Sequence, residues 1–276
     1  MIGWLIYSAV DVEKNKYYIQ MYKDKFKEHF IEIKLVIVEE LENMEQYVKC
    51  NKVDFAINRS RNHIMGELLE QKGVRVFNSS SVTRIANNKG ITYEFLKDVV
   101  PFLAVKYGNE IIESKIENKG FEYPYVIKSC SGHGGSQVFL VNNSKEEEQA
   151  VKAMNGQEYV VQQCCSDLGR DVRVYIIGNK IIKAVLRTST ESFKSNYSLG
   201  GKVQEYTLNN EEKAMVERIV DKLSLDYAGI DFTFNNGKAV FNEIEDAVGA
   251  RMLYQMSDID IVEMYIKYIL EQLSEE

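Results

Sequence analysis

The sequence is poor in the features that mark secreted, membrane-spanning and disordered proteins. It has four cysteines in 276 residues and none of them forms a C-x-x-C pair, which argues against a disulfide scaffold and predicts a reducing, cytoplasmic location. No apolar run approaches the length of about 18 residues that would cross a membrane, and the first residues are typical of a β-strand rather than of a signal peptide. The two prolines are Pro101 and Pro124, and no segment is of low complexity, so no disordered linker is expected.

Positive charge is also scarce. Lys and Arg total 34 against 41 Asp and Glu, which gives a formal net charge of -7. This balance disfavours proteins that bind nucleic acid or anionic membranes. The charge of the whole chain would repel phosphate groups, and a phosphate site would therefore depend on the local charge of its cleft.

A dinucleotide fingerprint is missing from the amino-terminal segment. Residues 1–85 alternate short apolar strand candidates, such as Ile2–Tyr7 and Val53–Ile57, with amphipathic stretches, which predicts a doubly wound parallel sheet. No G-x-G-x-x-G follows the first strand, which disfavours a Rossmann oxidoreductase. Open α/β sheets bind ligands where their strands end. Arg59 follows such a strand end and is our candidate for binding a substrate carboxylate, whereas Arg61 is expected to be a surface residue.

The rest of the chain predicts two more domains, residues 86–160 and 161–276, each a mixed α+β sheet. Gly178-Asn179 predicts the turn of a hairpin between two apolar strands. Apolar residues spaced at i, i+3, i+4 and i+7 predict amphipathic helices, and Asn209 followed by Glu212 is typical of a helix start. The predicted helices are Gly90–Val99, Ile111–Asn118, Lys145–Met154, Glu211–Ser224 and Asp260–Leu273.

A glycine-rich loop lies between two predicted strands. Residues Ser129–Ser136 contain three glycines and three serines, whose backbone N–H groups and hydroxyls can surround a polyphosphate. Lys128, at the end of the preceding strand, would place a positive charge beside those phosphates. The alternative is a long, flexible hairpin turn. The loop is not a Walker A motif, and His133 within it is interpreted as a polar loop residue rather than as a metal ligand.

The second pattern is an acidic hairpin within Gly229–Asp246. Side chains alternate between the faces of a strand, so Glu243 and Glu245 point the same way. Apolar residues at even positions on both strands predict a three-residue loop, Asn235-Asn236-Gly237, which brings Asp231 onto the same face. Three converging carboxylates repel one another, and a divalent cation such as Mg²⁺ would offset that repulsion. The alternative is a solvated polar face.

These motifs, in this order, resemble the ATP-grasp superfamily and, within it, the RimK-like carboxylate–amine ligases, over nearly the whole chain. The similar segments are Asn78-Ser79 with Asn88-Lys89, Lys128 with Ser131–Ser136, Val161–Cys165, Gly169–Val174, Arg187 with Phe193–Gly201, and Asp231 with Glu243. The resemblance implies a mixed α/β and α+β fold, in which a Rossmann-like parallel-sheet domain precedes two α+β ATP-grasp subdomains that hold ATP between them. It also implies a homo-oligomer that acts on small carboxylate and amine substrates, such as amino acids or peptides.

The resemblance assigns roles to individual residues. The catalytic candidates are Arg173, Arg187 and Asn196. The nucleotide-binding candidates are Lys89, Lys128, Ser131, Gly132, Gly134, Gly135, Ser136, Gln162, Gln163, Cys164, Cys165 and Asp167. The metal candidates are Asp231, Glu243 and Glu245, which would hold two Mg²⁺ ions, with Mn²⁺ as a possible substitute. The substrate candidates are Asn196 and Arg251, together with Arg59 from the strand-end argument.

Four departures from the family pattern accompany this assignment. Asn88 replaces an Asp, Gln163 replaces a Glu, and Glu245 replaces an Asn. The segment Asp246–Gly249 lacks the Ser-Pro of the family, which bears on the shape of the loop and on the acceptor amine. The expected reaction forms an amide through an acyl phosphate. The alternatives are a non-catalytic ATP-binding or regulatory module and a phosphotransferase on the same fold.

Overall fold

Three β-sheets follow one another along the chain in a computed structural model that describes residues 1–108, 121–135, 137–194 and 201–275. The first sheet is parallel, in the order β2-β1-β3-β4. Its strands are β1 (Ile2–Tyr7), β2 (Glu32–Ile37), β3 (Phe55–Asn58) and β4 (Arg75–Phe77). The helices between them are α1 (Ala9–Val12), α2 (Lys16–Glu28), a 3₁₀ turn at Val38–Glu40, α3 (Met44–Cys50) and α4 (His63–Gln71). The predicted doubly wound parallel sheet is confirmed.

The second sheet is antiparallel, in the order β5-β8-β6-β7. Two helices lead into it, α5 (Ser80–Ala86) and α6 (Lys89–Leu96). Its elements are β5 (Val105–Tyr107), β6 (Tyr125–Ser129), β7 (Val138–Val141), α7 (Ser144–Met154) and β8 (Tyr159–Gln163). The predicted helix Ile111–Asn118 lies outside the described residues. The predicted boundary after residue 160 falls inside β8, all of which belongs to this sheet, and the three-domain division stays a prediction.

The third sheet is also antiparallel, in the order β11-β10-β9-β12-β13. Its strands are β9 (Arg170–Ile177), β10 (Lys180–Thr188), β11 (Lys202–Tyr206), β12 (Tyr227–Asn235) and β13 (Lys238–Glu245). Its helices are α8 (Asn210–Leu223), α9 (Arg251–Met256) and α10 (Ile261–Glu275). Asn209 and Glu212 form the predicted capping box at the start of α8. Among the described residues, no helix combines the length and the apolar character that crossing a membrane requires.

One face of the third sheet is apolar throughout. The other face, called the divided face below, is apolar at one end and charged at the other. The apolar face packs against α5, α6 and α8, with Val174, Ile230 and Ile219 fully buried. On the other face, Tyr175 and Tyr227 pack against the first sheet and α10. The same two strands carry Arg173 and Asp231 two and four residues away, and the alternation of side chains keeps these charges on that divided face. The divided face therefore holds a core at one end and a charged site at the other.

The acidic hairpin forms by a different route from the predicted one. Its turn contains two residues, Asn236 and Gly237, with φ angles of 51° and 73°, as in the type I′ turn that suits the twist of a hairpin. Asn235 pairs with Lys238, so the predicted three-residue loop is wrong. The register then shifts by one residue between the pairs Phe232↔Phe241 and Asp231↔Glu243, which identifies Asn242 as the extra residue of a β-bulge. The bulge puts Asp231 opposite Glu243.

Candidate active site

Two arginines and two aspartates form an ion-pair network at the charged end of the third sheet. Arg173 donates from Nε and Nη2 to the two carboxylate oxygens of Asp231, over 2.7 and 2.6 Å. Arg187 donates from Nη2 to Asp231 over 2.7 Å and to Asp171 over 2.9 Å. Asp231 is fully buried, and burial alone would raise its pKa, but the two guanidinium groups outweigh burial and hold that pKa at about 2. Asp231 is therefore ionised at neutral pH.

Glu245 and Glu243 extend this network towards the cleft. Glu245 forms an ion pair with Arg173, with 2.8 Å between Oε1 and Nη2, and its side chain is 33% exposed. Glu243 Oε2 lies 3.6 Å from Lys89 Nζ, and the Glu243 side chain is 29% exposed. The sequence argument relied on a metal ion to offset the repulsion among the carboxylates. In the structure Arg173 lies between Asp231 and Glu245, so an arginine already offsets part of that repulsion.

The acidic residues nevertheless fit a divalent cation. Oxygen atoms of Asp231, Glu243 and Glu245 lie within 4.8 Å of one another, and hard cations such as Mg²⁺ take oxygen ligands. Asp231 accepts three hydrogen bonds, which leaves one of the roughly four lone-pair positions of its carboxylate. Glu243 and Glu245 are the more open ligands, and Asp231 is the buried one.

Two lysines face the acidic residues from the second sheet and α6. Lys128, at the end of β6, donates to Asn242 Oδ1 over 2.8 Å. Burial lowers the pKa of Lys128 to about 8, with the carboxylate of Glu243 acting in the opposite direction. Lys89 donates to the carbonyl oxygen of Gly132 over 2.7 Å. Asn88 caps α6 by accepting from Ile91 N over 3.1 Å, a role that Asn fills as well as Asp, and this accounts for the first departure from the family pattern.

The glycine-rich loop closes over this side of the cleft. Gly134 and Gly135 have φ angles of 64° and 75°, which side chains disfavour. Lys194, from the segment that follows β10, donates to the carbonyl oxygen of Gly135 over 2.6 Å. Ser131 is exposed, and Ser136 lies outside the described residues. The loop and the Lys194 segment therefore meet across the cleft.

The cleft lies between the second and third sheets and measures about 810 Å³, including the part open to solvent. The predicted residues that line it are Lys89, Lys128, Gly132, Gly134, Gly135, Gln162, Gln163, Cys165 and Glu243. Sequence reasoning missed its apolar wall, formed by Leu103, Val126, Val138 and Leu168. It also missed Gly169, Phe193 and the polar residues Arg170, Asp171, Lys194, Thr233 and Asn242. Lys194 carried a usable signal, because it lies inside the motif that begins at Phe193. The apolar residues carried no sequence signal, because an apolar residue that lines a binding site looks the same in the sequence as one in the hydrophobic core.

The side chains of three predicted nucleotide-binding residues can be described in the structure, and their contacts with the nucleotide stay predictions. Gln162 Nε2 donates to Tyr93 Oη over 3.1 Å. Asp167 accepts from Gly237 N over 3.1 Å, at the turn of the acidic hairpin. Burial raises the pKa of the Cys164 thiol to about 11, which keeps it protonated at neutral pH. Of these three residues, only Gln162 is among those that line the cleft.

Arg59 lies in the interior of the protein. It is 4% exposed and donates from Nε to Tyr7 Oη over 2.9 Å and from Nη2 to the carbonyl oxygen of Val248 over 2.7 Å. The rings of Tyr7, Tyr18 and Tyr227 lie 5.1–5.9 Å from its guanidinium carbon. The hydrogen bonds of Arg59 in the structure are thus made to other groups of the protein. Its role in binding a substrate carboxylate stays a prediction.

The loop that lacks Ser-Pro is fixed by side chains from elsewhere in the fold. Besides Arg59 at Val248, Tyr175 Oη donates to the carbonyl oxygen of Gly249 over 3.0 Å. Asn87 Nδ2 donates to Asp246 Oδ1 over 2.9 Å. Arg251 is exposed at the start of α9, and the predicted substrate residue Asn196 lies outside the described residues.

The sequence and the fold of this chain are similar to those of known proteins. The family model of the RimK-like ATP-grasp domain matches residues 94–269. The uncharacterized protein MG011 of Mycoplasma genitalium is 32% identical over 266 residues, covering 95% of this chain and 90% of that protein. A protein named probable alpha-L-glutamate ligase, from Haemophilus ducreyi, is 25% identical over 206 residues, covering 72% and 67%. The crystal structure of a RimK domain ATP-grasp protein from Sphaerobacter thermophilus has a TM-score of 0.76 at 20% identity, covering 97% and 99%.

The predicted fold is confirmed, since the Sphaerobacter structure matches nearly the whole length of both chains. The predicted resemblance is confirmed as well, because the matched residues 94–269 make up more than half of the chain and hold both the glycine-rich loop and the acidic hairpin. The chain belongs to the RimK-like ATP-grasp family of carboxylate–amine ligases.

Proposed function

We propose that this chain is an ATP- and Mg²⁺-dependent ligase that activates a substrate carboxylate as an acyl phosphate and transfers the acyl group to an amine. The observation that carries the proposal is the convergence of opposite charges on one cleft. Lys89 and Lys128 line it on one side and Glu243 on the other. Asp231, paired with Arg173, lies opposite Glu243 in the hairpin. Such an arrangement suits a polyphosphate and its metal ion.

The two ends of the cleft suit the two ends of ATP. The apolar wall of Leu103, Val126, Val138 and Leu168 offers a surface for the adenine ring. Lys89, Lys128 and the N–H groups of the glycine-rich loop would contact the phosphates. Lys194, bonded to that loop, would hold it closed over the bound nucleotide.

Glu243 and Glu245, with Asp231 behind them, would hold Mg²⁺. The metal would neutralise charge on the β- and γ-phosphates. The number of ions, two in our prediction, is part of the proposal. Arg173 and Arg187 are kept in place by Asp231 and Asp171, so they can stabilise charge on the transferred phosphoryl group without reorganising.

The proposed reaction has two steps. A carboxylate oxygen of the substrate attacks the γ-phosphorus, the bond to the β–γ bridging oxygen breaks, and ADP leaves. The neutral amine then attacks the acyl carbon, phosphate leaves with the oxygen that came from the carboxylate, and the nitrogen loses a proton. Positioning and charge stabilisation are what the protein supplies in the first step.

An isotope experiment tests this mechanism. The chain is incubated with ATP, MgCl₂, an amine panel and a panel of amino acids and peptides whose carboxylates carry ¹⁸O. The proposal predicts ¹⁸O in the released phosphate together with an amide detected by mass spectrometry. A stable phosphorylated product without amide would favour the phosphotransferase alternative, and bound but intact ATP with every acceptor would favour the non-catalytic module.

A further inference from the structure

The hydroxyl group of Tyr93 connects the two sheets that form the cleft. Tyr93 lies on α6 and is 3% exposed. Its Oη donates to the carbonyl oxygen of Asn242, the bulge residue of β13, over 2.7 Å, and it accepts from Nε2 of Gln162, on β8, over 3.1 Å. The ring of Tyr93 packs against Phe102 and Phe241. One buried hydroxyl therefore ties the second sheet to the hairpin that carries the acidic residues.

The two hydrogen bonds of Tyr93 fix the orientation of the Gln162 amide. A phenol hydroxyl has a single proton, and Tyr93 gives it to the Asn242 oxygen, because a carbonyl group cannot donate. Gln162 must therefore be the donor of the other bond, which puts its Nε2 at Tyr93 and its Oε1 on the opposite side of the amide. If the amide turned round, Tyr93 could bond to Oε1 only by giving up its bond to Asn242.

Gln162 lies beside the apolar wall of the cleft. It is one of the residues that line the cleft, and it is 2% exposed. It pairs with Val126 between β8 and β6, and side chains that lie opposite each other in a pair of strands are on the same face of the sheet. Among the residues that the structure describes, Oε1 of Gln162 has no hydrogen-bond partner. Buried acceptors are usually paired, so this oxygen is available to a ligand.

We propose that Tyr93 is a positioning residue through which the cleft selects 6-aminopurine over 6-oxopurine nucleotides, because it holds the Gln162 amide with its oxygen towards the base. The inference rests on the proposed function, since it concerns the nucleotide of that reaction. The fixed amide would accept from the 6-amino group of adenine and donate its second N–H to an adjacent ring nitrogen, as Gln does when it recognises adenine in DNA. The oxygen at position 6 of guanine or hypoxanthine would instead meet the lone pairs of Oε1.

Nucleotide binding to the unchanged full chain gives the first test. Isothermal titration calorimetry with MgCl₂ compares ADP, purine riboside 5′-diphosphate, which has hydrogen at position 6, and IDP, which has oxygen there. The order of affinity should follow that sequence, with ADP at least about tenfold tighter than IDP. Equal affinities for ADP and IDP would overturn the inference. This comparison decides the question even if a variant fails to fold.

The variant Tyr93→Phe keeps the ring and removes only the hydroxyl. Without Tyr93 Oη the Gln162 amide can turn and donate to a 6-oxo group, so IDP should bind more tightly than to the unchanged chain and the two affinities should come within about threefold of each other. General damage to the fold would weaken both nucleotides instead. Tyr107→Phe is the matched control, because the Tyr107 hydroxyl also donates to a backbone carbonyl, that of Gly90 in α6, over 2.9 Å. It should leave the selectivity unchanged within about twofold. Selectivity in Tyr93→Phe as high as in the unchanged chain would overturn the inference.

A double-mutant cycle tests whether Tyr93 acts through Gln162. Gln162→Met removes both polar atoms of the amide and should abolish the selectivity by itself. Tyr93→Phe combined with Gln162→Met should then lose no more selectivity than Gln162→Met alone, because interacting residues are not additive. Additive losses would mean that Tyr93 acts independently of Gln162, which would overturn the positioning role.

The outcome is separable from that of the proposed function. If ADP and IDP bind equally while ¹⁸O from the carboxylate appears in the released phosphate, this inference fails alone. If Tyr93→Phe removes a selectivity for ADP while ATP stays intact with every acceptor, the positioning role is supported and the ligase proposal fails.

Discussion

Arg59, directly after β3 of the first sheet, donates a hydrogen bond from Nη2 to the carbonyl oxygen of Val248, 189 residues further along the chain. This bond ties the amino-terminal sheet to the loop that follows the acidic hairpin. Its donor and acceptor groups are buried, so neither has water as a substitute partner. The family pattern places Ser-Pro in this loop, and here a distant arginine contributes to fixing the loop instead.

We expect Arg59→Lys to destabilise the protein by about 1–3 kcal/mol, because lysine lacks the planar fork and leaves a buried acceptor unpaired. Thermal and urea unfolding would measure this change. The matched control is Arg218→Lys, since Arg218 is exposed and also donates to a backbone carbonyl, that of Val99, over 2.9 Å. Equal stabilities of the two variants would show that burial of the Arg59 contact has no energetic consequence.

Glu243 and Glu245 should respond differently to substitution. Glu243→Gln should lower phosphate release at least about 100-fold, because it removes an open ligand charge opposite the phosphates. Glu245→Asn should retain most activity, since the amide oxygen can still ligate and Arg173 keeps its two bonds to Asp231. Mn²⁺ binding by electron paramagnetic resonance in the presence of ADP would report the metal site directly. Glu217→Gln, an exposed acid on α8, is the control; full activity of Glu243→Gln would refute the metal assignment.

Nucleotide binding should take up protons at alkaline pH. The pKa of buried Lys128 is lowered to about 8, so the free protein progressively loses this proton above that pH, and bound phosphates would restore it. We expect uptake approaching about one proton near pH 9 and close to none near pH 7. Calorimetry in buffers of different ionisation enthalpy measures the uptake. Lys128→Arg keeps its charge at both pH values, so the same uptake in this variant would contradict the prediction.

Lys194 should control how fast nucleotide leaves. Its ammonium group donates to the carbonyl oxygen of Gly135, and Lys194→Met removes this charge-assisted bond across the cleft. Dissociation of a fluorescent ADP analogue, followed by stopped flow, should become about tenfold faster. Lys202→Met is the control, because Lys202 is exposed at the start of β11. Dissociation as slow as in the unchanged chain would mean that the glycine-rich loop closes without Lys194.

The sequence predicted elements whose signals are local. The alternation of apolar strands and helices predicted the parallel first sheet, and Asn209 with Glu212 predicted the start of α8. Lys128 and the glycines could be assigned to a phosphate site because one continuous segment of the sequence shows both the end of a strand and the glycine-rich loop that follows it. That the protein is cytoplasmic and homo-oligomeric remains a prediction.

Features that depend on distant contacts could not be predicted in this way. The bulge at Asn242 has no local signal, because one extra residue in a strand is defined only by its partner strand. The prediction still brought the acids onto one face, because the shorter turn shifted the pairing by one residue and the bulge shifted it by one more in the same direction. A total shift of two residues keeps the same side chains on the same face. Arg59 and Arg61 follow the same strand end, and only the fold shows that the first is buried among tyrosines and that the second pairs with Asp11.

The ion pairs of Arg173 and Arg187 with the buried acids separate folding from metal supply. Because arginines already balance Asp231 and Asp171, the acidic end of the third sheet can form before any cation arrives. A fall in the cell's free Mg²⁺ would then slow the proposed reaction without exposing unfolded chain to proteases. Activity would return as soon as the ion did, with no new synthesis. The amount of folded protein would thus depend on synthesis of the chain, and the rate of the reaction would depend separately on free Mg²⁺.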